Sequence, residues 1–329
     1  MSRKCFFIIF SFLLLFCWSE SLLAQPVLNG KGAVLLDAQS GQVLFAKNKD
    51  EKLPPASITK ILTAIMAIES GKLDKIVTVS ANPPLLEGTR VYLEEGEKVS
   101  LYNLVLASIV HSGNDAALAI AEYLGGTEEK FAEMMNKKAR ELGAVNSNFV
   151  NAHGLTVEGH YTTAYDIALI ARYAMNNSTF REVVNTKVVD WQGKAWQTRL
   201  INKNELLWSY EGANGVKTGY TKKAGRCFVG SAKRNGMQLI AVVLNCGPMF
   251  EESMALMDYG FENYKNVCIF KHGQLIDSLP VRKGILEKVD VVTEQEYTLA
   301  LNKLEQKQVK TKVMIPNSLD APVEKGQRV

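Results

Sequence analysis

The sequence predicts an α/β fold of the α+β type: an antiparallel sheet flanked by helices, followed by a small β-rich C-terminal domain. Three observations carry this expectation. Strand-like runs open the chain at "KGAVLLDAQSGQVLFAKN" and return only past residue 214. Helical periodicity fills most of the interval between them. From about Lys265 onward, short strands with charged turns take over. Strands at both ends of a helical stretch meet in one sheet, and the helices pack around it.

Each element follows from local chemistry. The opening run reads as two strands around a Ser-Gly turn. A helix is expected from about Ser57 to Ser70, with Gly71 placed to stop it. Helical stretches follow at 101–110 and 115–124, broken by "HSGN", the second capped by Asp115 and ended by Gly125–Gly126. "EEKFAEMMNKKARELG" places Phe131, Met134, Met135 and Ala139 on one helical face, and "TAYDIALIARYAM" forms another helix. The acidic "LEEGEKVS" reads as a solvated turn leading into a helix. "GVKTGYT", "GRCFVGSA" and "MQLIAVVLNC" are β-rich, and Asn235–Gly236 joins the last two in a two-residue hairpin turn. "MFEESMALMDYGFENY" returns to helix.

The chain start has the layout of a secretory signal peptide. A basic "MSRK" precedes an apolar run over 5–18, and Ala24 offers a small residue before the cut. The run is short for a membrane span. The expected organisation is therefore a signal peptide at 1–24, a catalytic domain at 25–264 and a β domain at 265–329. The last reads as incomplete, because "APVEKGQRV" supplies neither a closing strand nor an amphipathic anchor. The mature protein is expected outside the cytoplasm, in the cell envelope, at the outer face of the cytoplasmic membrane or in the periplasm. A formal net charge of +4 with no basic stripe excludes nucleic acid as a partner. Of five cysteines, Cys227, Cys246 and Cys268 follow the expected cut. In the hairpin register Cys227 faces Leu244 and lies only diagonal to Cys246, so buried free thiols are favoured over a bridge.

Three motifs carry chemistry. In "PPASITKILTA", residues 54–64, Ser57 and Lys60 stand at i and i+3, so the amine can reach the hydroxyl. Ser57 also sits at a helix N-terminus, where free N–H groups favour developing negative charge. A serine needs a base to become a nucleophile. Lysine can be that base only when neutral, which the apolar setting of Lys60 promotes. "SGN", Ser112–Asn114, lies in a break between helices. "KTG", Lys217–Gly219, opens a strand, where glycine permits close approach to the strand edge. S-x-x-K alone is weak, and Ser57 as a plain helix cap is its bland alternative. The three together, in this order, form the motif set of β-lactamases and penicillin-binding proteins.

With these motifs, and with "HSGNDAA", "EGHYTTAYDIALIARYA" and "GVKTGYTKKAGRCFVGSAKRNGMQLIAVVL", the chain resembles the D-alanyl-D-alanine carboxypeptidases, the low-molecular-mass penicillin-binding proteins of serine peptidase family S11. The resemblance spans nearly the whole mature chain and implies a β-lactamase/transpeptidase-like fold. It implies that Ser57 attacks the carbonyl between two terminal D-alanines and that Lys60 is the general base. Ser112 would relay a proton to the departing D-alanine, and Asn114 would orient Lys60 and the substrate amide. Lys217 and Thr218 would receive the terminal carboxylate, with the Lys217 charge helping keep Lys60 neutral, and Gly219 would let the substrate backbone approach the strand. The backbone N–H groups of Ser57 and Tyr220 would form the oxyanion hole. Peptidoglycan stem peptides would be substrates and β-lactams covalent inhibitors, with no metal or cofactor.

One position departs from the family pattern. Many members carry a basic residue where this chain has Gln238, so the carboxylate grip is expected to be weaker or to pass to Arg226. His160 is read as structural, His111 as shaping its loop, and His153 and His272 show no metal spacing. A class A β-lactamase would need a glutamate for deacylation. "NSNFVNAHG" has none, and Glu158 lacks the E-x-x-x-N context. A β-lactam sensor that acylates without turnover remains a second alternative, and an endopeptidase a third.

Overall fold

The computed structural model describes residues 25–329; the expected signal peptide lies outside the described residues. Strands β1 (Gly32–Asp37) and β2 (Val43–Lys47) form the opening hairpin. A 3-10 turn at Ala56–Thr59 leads directly into α1 (Lys60–Glu69). The short strands β3 (Ile76–Thr78) and β4 (Lys98–Ser100) pair with each other. Then follow α2 (Leu101–Leu106), a π-type turn at Ala107–His111, α3 (Asn114–Gly125) and α4 (Glu128–Glu141). Helices α5 (Ala164–Met175) and α6 (Ser178–Asn185) precede a hairpin of β5 (Val188–Gln192) and β6 (Gln197–Ile201). After the short α7 (Leu206–Ser209), strands β7 (Ala213–Thr221), β8 (Gly225–Arg234) and β9 (Met237–Leu244) complete the main sheet, and α8 (Met249–Asn263) crosses it.

That sheet has the order β2-β1-β9-β8-β7, antiparallel throughout. Its strands read as continuous apolar runs because both faces are covered. On β9, Ile240, Val242 and Leu244 join the core under α1 and α5, while Leu239, Ala241 and Val243 join a second core under α8. Val34 and Leu36 of β1 alternate in the same way with Ala33 and Leu35. Arg234 pairs with Met237, so Asn235–Gly236 is the two-residue turn, and both residues have positive φ, as a type I′ turn needs. Cys227 and Cys246 lie in different cores, and all three described cysteines are free thiols.

Several local expectations are revised. Met134 is exposed rather than packed with Phe131, Met135 and Ala139. Asp115 lies inside the first turn of α3 rather than at its N-cap position, Gly113. Its carboxylate accepts from the Ala116 N–H of that turn at 2.9 Å and also from the Val91 and Leu93 N–H groups at 3.0–3.1 Å, tying an irregular segment to the helix start. Glu97, in the stretch read as a solvated turn, is buried and accepts from the Glu94 and Lys194 N–H groups.

Beyond α8 the chain forms small sheets: β10 (Lys265–Phe270) with a later strand β13 (Tyr297–Leu301), and β11 (Leu275–Arg282) between β12 (Lys288–Val292) and β14 (Leu319–Asp320). A short helix α9 (Lys303–Gln308), capped reciprocally by Asn302 and Glu305, follows β13, although this region gave almost no helical signal in the sequence. Among the described residues, no helix is long and apolar enough to cross a membrane.

Candidate active site

The turn that carries Ser57 begins after two prolines, and Lys60 is the first residue of α1. Ser57 therefore stands in the first turn, where a backbone N–H has no carbonyl one turn back to bond. Lys60 is fully buried, and its Nζ lies 3.0 Å from Ser57 Oγ, 2.7 Å from Asn114 Oδ1 and 2.6 Å from the His153 carbonyl oxygen. Burial is the largest influence on this amine and pushes its pKa well below the usual value. The charges of Lys217 and Lys203 push the same way, against Asp115. A neutral amine has two N–H bonds and one lone pair. Asn114 Oδ1 and the His153 carbonyl can only accept, so they take the two hydrogens and the lone pair is left facing the Ser57 hydroxyl.

Ser112 and Asn114 are set by the way one helix ends and the next begins. The π-type turn closes on Ser112 in a left-handed conformation, φ 71°, and the Gly113 N–H returns to the Ala107 carbonyl at 3.1 Å. Asn114 then opens α3. Its backbone N–H bonds the Thr89 carbonyl at 2.7 Å, and its Nδ2 donates to the Glu87 carbonyl at 2.7 Å. With the amide nitrogen committed there, Oδ1 must face Lys60.

Strand β7 forms the facing wall. An added Cβ on Gly219 would fall 2.9 Å from the Ser57 nitrogen, so only glycine allows the strand to lie this close to the serine turn. Lys217 is buried, donates to the Thr218 carbonyl at 3.0 Å, and is lowered by burial and by Lys203 to about 7. Ser57, Ser112, Thr218, Gly219, Tyr220 and Arg226 line one cleft. Arg226 pairs with Tyr220 across the β7–β8 ladder, which puts its guanidinium beside the strand that carries KTG. The Tyr220 ring is exposed at the rim.

Gln238 plays no part in this cleft. It pairs with Lys233 near the far end of β8–β9, and its side chain bonds Asn214, Ser231 Oγ and the Ala232 carbonyl. Along the ladder it lies well away from Lys217, which pairs with Val229. Conversely, the sequence reading missed Lys203, Thr89, Glu205, Met249 and Phe250, which line the same cleft. Lys203 Nζ lies 3.1 Å from Thr89 Oγ1. A lone lysine in the turn after β6 carries no motif. The carbonyls of Glu87 and His153 have no side-chain signature at all. Among the described residues, no group of three or more His, Cys, Asp or Glu is arranged to hold a metal ion.

A serine in contact with a buried amine, between a helical wall and a strand edge, defines a serine hydrolase of the penicillin-binding class. Residues 20–247 match the D-alanyl-D-alanine carboxypeptidase model, Peptidase S11, and residues 264–329 match the C-terminal domain of penicillin-binding protein 5. The chain belongs to the D-alanyl-D-alanine carboxypeptidase family of serine peptidases. It is 35% identical to the carboxypeptidase DacF of Bacillus subtilis (strain 168), over 92% of this chain and 80% of that one. It is 34% identical to DacD of Escherichia coli (strain K12), over 92% and 82%. Among solved structures, penicillin-binding protein 5 of Haemophilus influenzae superposes with a TM-score of 0.82 at 30% identity, covering 93% of this chain and 92% of that one.

Proposed function

We propose that the protein removes the terminal D-alanine from peptidoglycan pentapeptide stems at the outer face of the cytoplasmic membrane or in the periplasm, by way of an acyl-enzyme on Ser57. The observation that carries this reading is the placement of Lys60 Nζ, with two obligate acceptors and the Ser57 hydroxyl as its three neighbours. Lys60 takes the Ser57 proton as Oγ bonds the carbonyl carbon of the penultimate D-alanine. The oxyanion is held by the N–H groups of Ser57 and Tyr220. As the C–N bond breaks, Ser112 passes the proton from Lys60 to the leaving D-alanine nitrogen. Water then attacks the ester, its proton returns through Lys60, and Ser57 is restored.

Lys217, Thr218 and Arg226 hold the substrate carboxylate, and Gly219 lets the peptide lie against β7. Burial and the Lys203 charge lower Lys217, and a bound carboxylate raises it, so substrate secures the charge that grips it. The same positive charge helps keep Lys60 neutral. A β-lactam enters by the same attack, and its opened ring stays on Ser57. We assign catalysis to residues 25–264 and a separate β domain to 265–329. Release of D-alanine from diacetyl-Lys-D-Ala-D-Ala, blocked by penicillin and lost in Ser57→Ala, tests the reading.

A further inference from the structure

The peptide group joining Ala56 to Ser57 is held on both sides. An added Cβ on Gly154 would fall 1.9 Å from the Ala56 carbonyl oxygen, and one on Gly219 would fall 2.9 Å from the Ser57 nitrogen. The two glycines thus mark where each end of the peptide points. In a trans peptide the carbonyl and the N–H point in opposite directions, so whatever fixes the carbonyl also aims the N–H. Ala56 itself has φ 50°, a left-handed conformation that costs an alanine about 1 kcal/mol and persists only where the surroundings impose it.

A buried hydrogen-bond chain imposes it here. The Val150 N–H donates to His160 Nδ1 at 3.0 Å. In a neutral imidazole the other nitrogen then carries the proton. That nitrogen, Nε2, lies 2.9 Å from Thr59 Oγ1, and the Thr59 hydroxyl donates to the Ala56 carbonyl at 2.9 Å. Thr59 is fully buried and His160 is 4% exposed. Burial holds the imidazole down to about 4, so it is neutral at working pH. The Phe149 ring packs edge-on against it, with centroids 5.9 Å apart. A threonine bonding a carbonyl three residues back is an ordinary feature of a helical turn. What an ordinary turn lacks is a histidine from 101 positions along the chain locking the hydroxyl's direction.

We propose that His160 is a positioning residue for oxyanion stabilisation: through the Thr59 hydroxyl it fixes the Ala56 carbonyl and so aims the Ser57 N–H at the substrate oxygen. This rests on the acyl-enzyme reading above. His160 touches neither substrate nor Lys60; it acts only through Thr59. The structural role expected for it thereby acquires a consequence for rate.

The test is acylation of the purified full chain by benzylpenicillin, with the acyl-ester carbonyl stretch read by isotope-edited infrared difference spectra. His160→Leu and Thr59→Val should acylate at least about tenfold more slowly. Their carbonyl band should move to higher wavenumber as the oxyanion-hole bond weakens. His160→Gln, whose amide can still donate to Thr59, and Thr59→Ser, which keeps the hydroxyl, should restore both rate and band. Slow acylation with an unmoved band, or Gln and Ser variants no better than Leu and Val, would overturn the proposal. Should His160→Leu not fold, Thr59→Val carries the test without disturbing the imidazole. A wild-type protein that fails to acylate at all would instead bring down the acyl-enzyme reading, and this inference with it.

Discussion

Lys60 Nζ and Asn114 Oδ1 lie 2.7 Å apart inside the protein, and the same asparagine is pinned from behind by the Glu87 carbonyl at 2.7 Å. The amide therefore offers Lys60 an acceptor that carries no full charge. An aspartate of the same shape would offer an anion. An anion beside the amine favours its charged form and raises its pKa, opposing the burial that lowers it. Asn114→Asp should acylate about 100-fold more slowly at neutral pH, with much of the rate recovered as pH rises through the new Lys60 value. Acylation by a chromogenic cephalosporin, followed from pH 6 to 10 by stopped flow, checks this. An equal loss at every pH would assign Asn114 to geometry alone.

Lys203 lowers the pKa of both Lys60 and Lys217, the first by charge added to a larger effect of burial, the second likewise. Its removal leaves both amines easier to protonate. With Lys60 proposed as a base that works when neutral, the acid limb of kcat/KM should move to higher pH in Lys203→Gln. With Lys217 proposed to hold the carboxylate when charged, the alkaline limb should move to higher pH as well. A full pH profile on the diacetyl tripeptide reads both limbs at once. Limbs that stay in place while KM rises would make Lys203 a substrate contact without electrostatic reach.

Gly154 has φ 88°, and its added Cβ would fall 1.9 Å from the Ala56 carbonyl oxygen, a backbone atom that no rotamer change can move. Gly154→Ala must displace either the 151–155 loop or the serine turn. Strain at this conformation and the clash together should destabilise the fold by about 3 kcal/mol. Acylation should fall with it, because the loop also supplies the His153 carbonyl to Lys60. Thermal melting beside acylation rate measures the two effects, and an unchanged melting point would show the loop to be more yielding than its packing implies.

The sheet and its helices were legible because apolar periodicity, glycine stops and the Asn235–Gly236 turn are local signals. Ser57 and Lys60 were legible for the same reason, since i and i+3 are neighbours on any helical turn. Other parts of the site have no local signal. Lys203 reaches the cleft only because the chain after β6 passes its mouth. His153 contributes a carbonyl, which any residue could supply. Asp115 takes the Ala116 N–H at the helix start, as its position suggested, but its further bonds to the Val91 and Leu93 N–H groups could not be foreseen from spacing. Gln238 looked relevant by position in the sequence, and the antiparallel register carried it to the other end of the ladder.

The most direct measurement is D-alanine release from diacetyl-Lys-D-Ala-D-Ala by the purified protein, with and without benzylpenicillin, beside Ser57→Ala. The expected result is release that penicillin abolishes, a penicilloyl adduct located on Ser57 by mass spectrometry, and neither in Ser57→Ala. Covalent capture of penicillin at Ser57 without any release of D-alanine would contradict the carboxypeptidase and leave a site that acylates but does not turn over.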